Sequence, residues 1–284
     1  MDKLPRMEHP NPQFERQHWR NLNGVWNFEI DYGVSGEARG MADPNYDFQS
    51  KILVPFCPES KLSGIGNTDF LNCVWYKRAI QVSSQDLTQR IVLHFGAVDH
   101  ECTLFVNGVK VGTHRGGYIS FSFEISEYLH EGENVLTVCA KDDIRNPLVA
   151  RGKQSERYHS HDCDYTRTTG IWQTVWLEYT PKHYVECVRY YPNSTDSTVQ
   201  MELQLHGSAD VKVEVFYENR FMGSKQWASC GGTEYISIDL LESHLWEVGC
   251  GRLYDVVLTF GDDVVRSYFG LRNIQLQNRK FLLN

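Results

Sequence analysis

The segment His159-Ser160-His161-Asp162-Cys163-Asp164 is the densest run of reactive side chains in the sequence. In a strand, alternate residues share a face, so His159, His161 and Cys163 would line up as three competent zinc ligands. Structural zinc sites usually draw their ligands in pairs from two separated segments, and no second pair is evident. A polar loop beside a functional surface is therefore the preferred reading. Tyr165-Thr166-Arg167-Thr168-Thr169-Gly170-Ile171-Trp172 follows directly. Rings stack on the apolar faces of sugars, and arginine or aspartate can fork onto hydroxyls, so this corner suits a sugar. Trp172 and Trp176 also read as core residues, and for Trp176 the core reading is favoured.

Other chemistries find little support. Gly64-Ile65-Gly66 lacks the third glycine and the following helix of a dinucleotide fingerprint. There is no Gly-x-Ser-x-Gly elbow and no His-Glu-x-x-His. The sequon Asn193-Ser194-Thr195 would matter only in a secreted protein. With 28 Lys+Arg against 36 Asp+Glu the net charge is −8, which disfavours nucleic acid or an anionic membrane as partner. No apolar run approaches the roughly 18–20 residues of a membrane span, and the N-terminus has no apolar signal core. A soluble, cytoplasmic protein is expected. The 8 cysteines form no Cys-x-x-Cys pair, and reduced thiols are expected. Cys187 and Cys250 with Trp227 between them do not fit an immunoglobulin disulfide, because that tryptophan should follow the first cysteine early.

The elements that must position these residues are strands. At 284 residues, with roughly 150 per domain, about two domains are expected. Ile91, Leu93 and Phe95 alternate with Val92 and His94. Two strand-like runs flank Asn107-Gly108, the strongest short hairpin signal. Val135 to Ala140 and Thr174 to Glu178 read as more deeply buried strands. The best helix candidate, Asn11 to Arg20, is short and polar. A boundary falls near Thr180-Pro181. Beyond it Val199, Met201, Leu203 and Leu205 face one way and Gln200, Glu202, Gln204 and His206 the other. Val211, Val213 and Val215, then Ile236, Ile238 and Leu240, repeat the pattern. About seven such strands fit between Pro181 and Phe269, a size and rhythm that suit an immunoglobulin-like sandwich.

Several motifs, in order, carry a resemblance. They are Leu22-Asn23-Gly24-Val25-Trp26-Asn27-Phe28, Val54-Pro55 with Glu59-Ser60, and Val74-Trp75-Tyr76-Lys77-Arg78. A long central stretch runs from His94-Phe95-Gly96-Ala97-Val98-Asp99 through Phe105-Val106-Asn107-Gly108 to Gly116-Gly117-Tyr118. Gly152-Lys153-Gln154 and Thr169-Gly170-Ile171-Trp172-Gln173-Thr174-Val175-Trp176-Leu177 complete the set. From about Asn21 onward the chain resembles the N-terminal portion of family 2 glycoside hydrolases, the group of bacterial β-galactosidases, β-glucuronidases and β-mannosidases.

The resemblance implies an all-β protein. A jelly-roll sugar-binding domain would occupy residues 1–180 and an immunoglobulin-like β-sandwich residues 181–270. Residues 271–284 would lead into a (β/α)8 barrel, with Phe281-Leu282-Leu283-Asn284 resembling its first strand. In that family a retaining glycosidase uses two glutamates on the barrel, one as acid/base and one as nucleophile. Neither has a counterpart here, so no catalytic residue is assigned and the chain alone is not expected to hydrolyse glycosides. In relatives, an aspartate shortly before the Gly-Ile-aromatic segment touches the sugar hydroxyls and in some members helps bind sodium. That position falls on Asp164, with Asp162 as the fallback. Arg167 would hold the loop by pairing with a neighbouring carboxylate. The Gly116-Gly117-Tyr118 segment reads as a turn. The resemblance implies no cofactor beyond a sodium or magnesium ion in the whole enzyme. The implied partners are a β-glycoside or oligosaccharide, the barrel itself and a second copy in a homo-oligomer. The central motif looks most like β-galactosidases, with glucuronidases next. A free-standing carbohydrate-binding module and an oligomer-assembly module stand as alternatives.

Overall fold

A computed structural model describes residues 4–284. Nearly every element in it is a strand, and the only helices among the described residues are three short 3-10 turns. None is long and apolar enough to cross a membrane. The chain divides into two compact units. The first comprises residues 4–10 and Trp19–Tyr179, the second Asn11–His18 and Thr180–Asn284.

The first unit is a jelly-roll sandwich. One sheet has six strands in the order Ser50–Val54, Gly24–Ile30, Cys73–Val82, Gly132–Lys141, Glu101–Val106 and Val109–Arg115. The other has four, in the order Trp19–Asn21, Val175–Thr180, Arg90–Phe95 and Phe121–Glu124. Phe28, Tyr76, Leu93, Phe95, Leu104 and Leu136 belong to one buried cluster that draws on both sheets. Each such side chain contributes about 1.5–3 kcal/mol by leaving water. The Asn107-Gly108 turn forms as expected. Both residues have positive φ, 52° and 82°, the requirement of a type I′ hairpin. The Asn107 amide then donates to the buried Asn134 side chain at 2.8 Å and accepts from the Val135 N–H at 2.8 Å.

A short ladder pairs Val98–Asp99 with Gly170–Ile171. It brings the end of the His94-to-Asp99 motif beside the Thr169-to-Trp172 motif, and it sets the base of the long 143–169 loop.

The second unit is an immunoglobulin-like sandwich of seven strands. Tyr184–Asn193, Thr198–His206 and Gly232–Asp239 form one sheet. Arg220–Ser229, Ala209–Tyr217, Tyr254–Phe260 and Asp263–Phe269 form the other. The apolar faces read from the alternation close the core: Met201, Val213, Ile238, Leu258 and Phe260 are all buried. Ile274–Gln277 and Lys280–Leu283 follow as an exposed two-stranded hairpin.

The stretch from Asn11 to Arg20 is not a helix. Its Phe14 N–H closes a turn onto the Asn11 carbonyl, Glu15 bridges Arg266, and Trp19–Asn21 is already strand. Arg16 explains the departure. Its guanidinium is buried and makes a two-pronged ion pair with Asp263, 2.8 Å on each arm, while also donating to the Val185 carbonyl. That buried network outweighs the weak helical propensity of a short polar segment. The cysteines behave as expected: all eight are free, and Cys73, Cys102 and Cys139 are buried.

Candidate functional site

The 143–169 loop is held in shape by its own backbone. The Ser155 N–H donates to the Tyr165 carbonyl at 2.8 Å, and the Tyr165 N–H to the Lys153 carbonyl at 2.7 Å. Further out, His161 and Asp164 exchange backbone hydrogen bonds of 3.0 and 2.8 Å across a two-residue turn. Asp162 takes the first turn position with φ 47°, a left-handed conformation that a short polar side chain tolerates. Residues paired directly across such a turn project to the same side. Nε2 of His161 accordingly lies 3.7 Å from Oδ2 of Asp164. Oε1 of Glu156 completes a triangle, 3.7 Å from the same nitrogen. These three ligand-bearing atoms all lie within 4.8 Å of one another. Arg151 donates to the outer Glu156 oxygen at 2.9 Å and stands 3.8 Å from Asp164 Oδ2. The Glu156 carboxyl is held below its usual range by its own backbone N–H and then by Arg151.

Beneath the loop lies a polar floor, buried at Asp99 and Gln154. Gln154 donates to Oδ2 of Asp99 at 2.6 Å and accepts from the Thr168 N–H at 2.7 Å. Tyr118 donates its hydroxyl to the Arg151 carbonyl at 2.7 Å, and the Gln154 amide donates to that same hydroxyl at 3.1 Å. The Trp172 indole donates to the Gly117 carbonyl at 2.8 Å. Glycine is required at 117, because a Cβ there would fall 2.1 Å from Asp99 Oδ1. Burial raises the Asp99 carboxyl to about 6, against the Gln154 hydrogen bond, which lowers it.

Asp142 is buried as well. Burial, then the charges of Asp99, Glu59 and Asp143, push its carboxyl up to about 8. Among the described residues no hydrogen-bond partner reaches either of its carboxylate oxygens. Burial also raises the Glu59 carboxyl, which accepts the Thr169 N–H at 3.2 Å. Three largely buried acids therefore gather under one loop, and Asp142 is a neutral, protonated acid near pH 7.

The residues singled out in the sequence separate here. Asp164 is half-buried and faces His161, whereas Asp162 is exposed at the turn. Arg167 is buried, and it donates to the carbonyls of Ser155, Arg157 and Thr68 under the Phe70 ring. Its partners are carbonyl oxygens rather than a carboxylate. His159 and Cys163 are exposed, and the shared face drawn for His159, His161 and Cys163 does not form, because the segment turns at 162–163 instead of running as a strand. Trp176 is core, stacked on His94 with ring centroids 4.0 Å apart. Asp99, Gln154 and Glu59 sit inside the resemblance motifs, but nothing in their local sequence marks them as buried or paired. Asp142 and Glu156 gave no sequence signal at all, since each becomes notable only through what the fold sets beside it.

Residues 65–181 match the family described as glycosyl hydrolases family 2, sugar binding domain. This stretch is similar to a family 2 sugar-binding domain. The match includes Asp99, Asp142, Gln154 and the whole 143–169 loop, whereas Glu59 lies ahead of it. A β-glucuronidase of Streptococcus agalactiae is 26% identical over 286 residues, covering 93% of this chain and 45% of the relative. A β-galactosidase of Thermoanaerobacter pseudethanolicus is 30% identical over 112 residues, 39% of this chain. Among solved structures, the β-glucuronidase of an uncultured Clostridium species superposes with a TM-score of 0.77 at 26% identity. That superposition covers 98% of this chain and 48% of the other. The chain spans about half the length of the relatives it matches along its whole extent.

Proposed function

We propose that this chain supplies the sugar-binding and scaffold domains of a family 2 glycosidase of the β-glucuronidase type. The similarity to the S. agalactiae β-glucuronidase supports this reading, because it runs through both sandwiches rather than through the central motif alone. The similarity to the T. pseudethanolicus β-galactosidase covers the shorter stretch, so the galactosidase type, first in the sequence reading, moves to second place. In this reading Asp164 is the substrate contact and Asp162 its fallback. A carboxylate accepts hydrogen bonds from adjacent sugar hydroxyls, and bonds that tighten as the glycosidic bond breaks raise the rate. Arg167 contributes by fixing the loop from beneath.

The test is Asp164→Asn in the longer enzyme, assayed with 4-nitrophenyl β-glucuronide and β-galactoside. A fall in kcat/KM of tenfold or more on the glucuronide, with the galactoside a poor substrate throughout, is the expected result. Unchanged kcat/KM removes the role of Asp164. A faster galactoside reaction in the unaltered enzyme reverses the order of the two types.

A further inference from the structure

We propose that Glu156, His161 and Asp164 form a binding site for one divalent transition-metal ion of the zinc type. The site would staple the outer end of the 143–169 loop. Two features of the geometry carry this.

The first is spacing. His161 Nε2 lies 3.7 Å from an oxygen of each carboxylate, too far for a hydrogen bond. Ligands about 2.0–2.2 Å from a tetrahedral zinc ion lie about 3.4 Å from one another. His161 Nε2 therefore stands a few tenths of an ångström beyond ligand spacing from each carboxylate, and all three atoms lie within 4.8 Å of one another.

The second is the orientation of the imidazole, which its hydrogen bond to Ser155 fixes. Ser155 is fully buried, and its hydroxyl proton goes to the His159 carbonyl at 2.9 Å. Its oxygen accepts the Arg157 N–H at 3.0 Å and faces His161 Nδ1 at 3.0 Å. With the one hydroxyl proton already committed, Nδ1 must be the donor. Nε2 is then the nitrogen left facing the two carboxylates, on the side where a metal ion would sit. A histidine held by its far nitrogen is also how metal-ligating imidazoles are oriented. Arg151 secures Glu156 through the other oxygen and so leaves Oε1 facing inward. Arg157 Nε reaches Oε1 only at 3.6 Å, from an exposed side chain. One nitrogen and two oxygens suit zinc and its neighbours rather than calcium or magnesium.

This inference does not rest on the sugar-contact reading of Asp164, because it is tested on the chain alone with no glycoside present. Chelator-treated protein is titrated with Co²⁺, followed by visible absorption, and with Zn²⁺, followed by calorimetry. One equivalent should bind, with ligand-field bands for Co²⁺. His161→Ala and Glu156→Gln should each weaken binding at least 100-fold. Ser155→Ala should weaken it about 10–100-fold by releasing the ring. His159→Ala, whose side chain lies outside the triangle, should leave it unchanged. Circular dichroism checks that each variant is folded. If His161→Ala is not, the partly exposed Glu156→Gln decides. Failure to bind one equivalent, or affinity in the His161 and Glu156 variants equal to that of the parent, overturns the proposal.

Discussion

Gln154 is clamped between two motifs that lie far apart in sequence. Its side-chain N–H donates to Asp99, 55 residues earlier, at 2.6 Å, while its carbonyl oxygen accepts the Thr168 N–H. The amide can do both only because it carries a donor and an acceptor at one end. Gln154→Ala should leave Asp99 buried without this donor and cost about 1–3 kcal/mol. The loss is read from urea midpoints, and cleavage within residues 143–169 under limited proteolysis should appear with it. Gln154→Glu should be worse, since it sets a second carboxylate against Asp99. A variant as stable as the parent would show that the loop is held without this clamp.

The buried acids predict how stability depends on pH. Asp142 titrates near 8 when folded and at its ordinary value, near 4, when unfolded. Folding therefore takes up a proton between these values, and stability must fall as pH rises across that window. It is fully present below about pH 4, is lost up to about pH 8, and is level beyond. Asp99, at about 6, adds a second loss confined to the lower part of the window. Asp142→Asn keeps the shape without the charge. Urea titrations should find the variant level with the parent near pH 4 and more stable at pH 8. A parent stability that is flat from pH 5 to 8 would contradict the burial of an ionisable Asp142.

Arg16 and Asp263 give a prediction for the second unit. Both are buried, and Asp263 Oδ2 also accepts the Val185 N–H at 2.8 Å. Removing one partner strands the other charge, so Arg16→Met should cost about 3–5 kcal/mol. Replacing both with apolar residues should return much of that loss, because neither charge then needs to leave water. Urea unfolding of the two single variants and the double variant measures this. Additive losses would show that the pair is not coupled.

The legible part of this fold was the part written in periodicity. Alternation at Val199 to Leu205 and at Val211 to Val215 specified which faces are dry, and Asn107-Gly108 specified a hairpin. The 143–169 loop was not legible in the same way, because no period governs it. His159, His161 and Cys163 look equivalent when counted by twos, and a turn at Asp162-Cys163 breaks the count. Glu156 joins His161 only because Tyr165 pairs back onto residues 153–155. Asp142 looks like any charged residue at a strand end, and its neutral state comes from what the sheets bury around it. Arg16 misled in the opposite direction, since a local helix reading could not anticipate a carboxylate 247 residues away.

Arg167 separates a structural role from a sugar contact. Its planar guanidinium reaches three carbonyl oxygens, on Ser155, Arg157 and Thr68, and lies 4.1 Å from the centre of the Phe70 ring. Lysine keeps the charge but carries it as a point that cannot spread over that fork or stack flat on the ring. Arg167→Lys should therefore destabilise the chain by at least the worth of one charged hydrogen bond, about 1.5–3 kcal/mol. Faster amide hydrogen exchange across residues 153–169 should accompany the loss, with no sugar present. If the variant exchanges like the parent and only glycoside binding in the longer enzyme weakens, the guanidinium contacts the sugar instead. The burial of Arg167 and its three carbonyl partners argue for the first outcome.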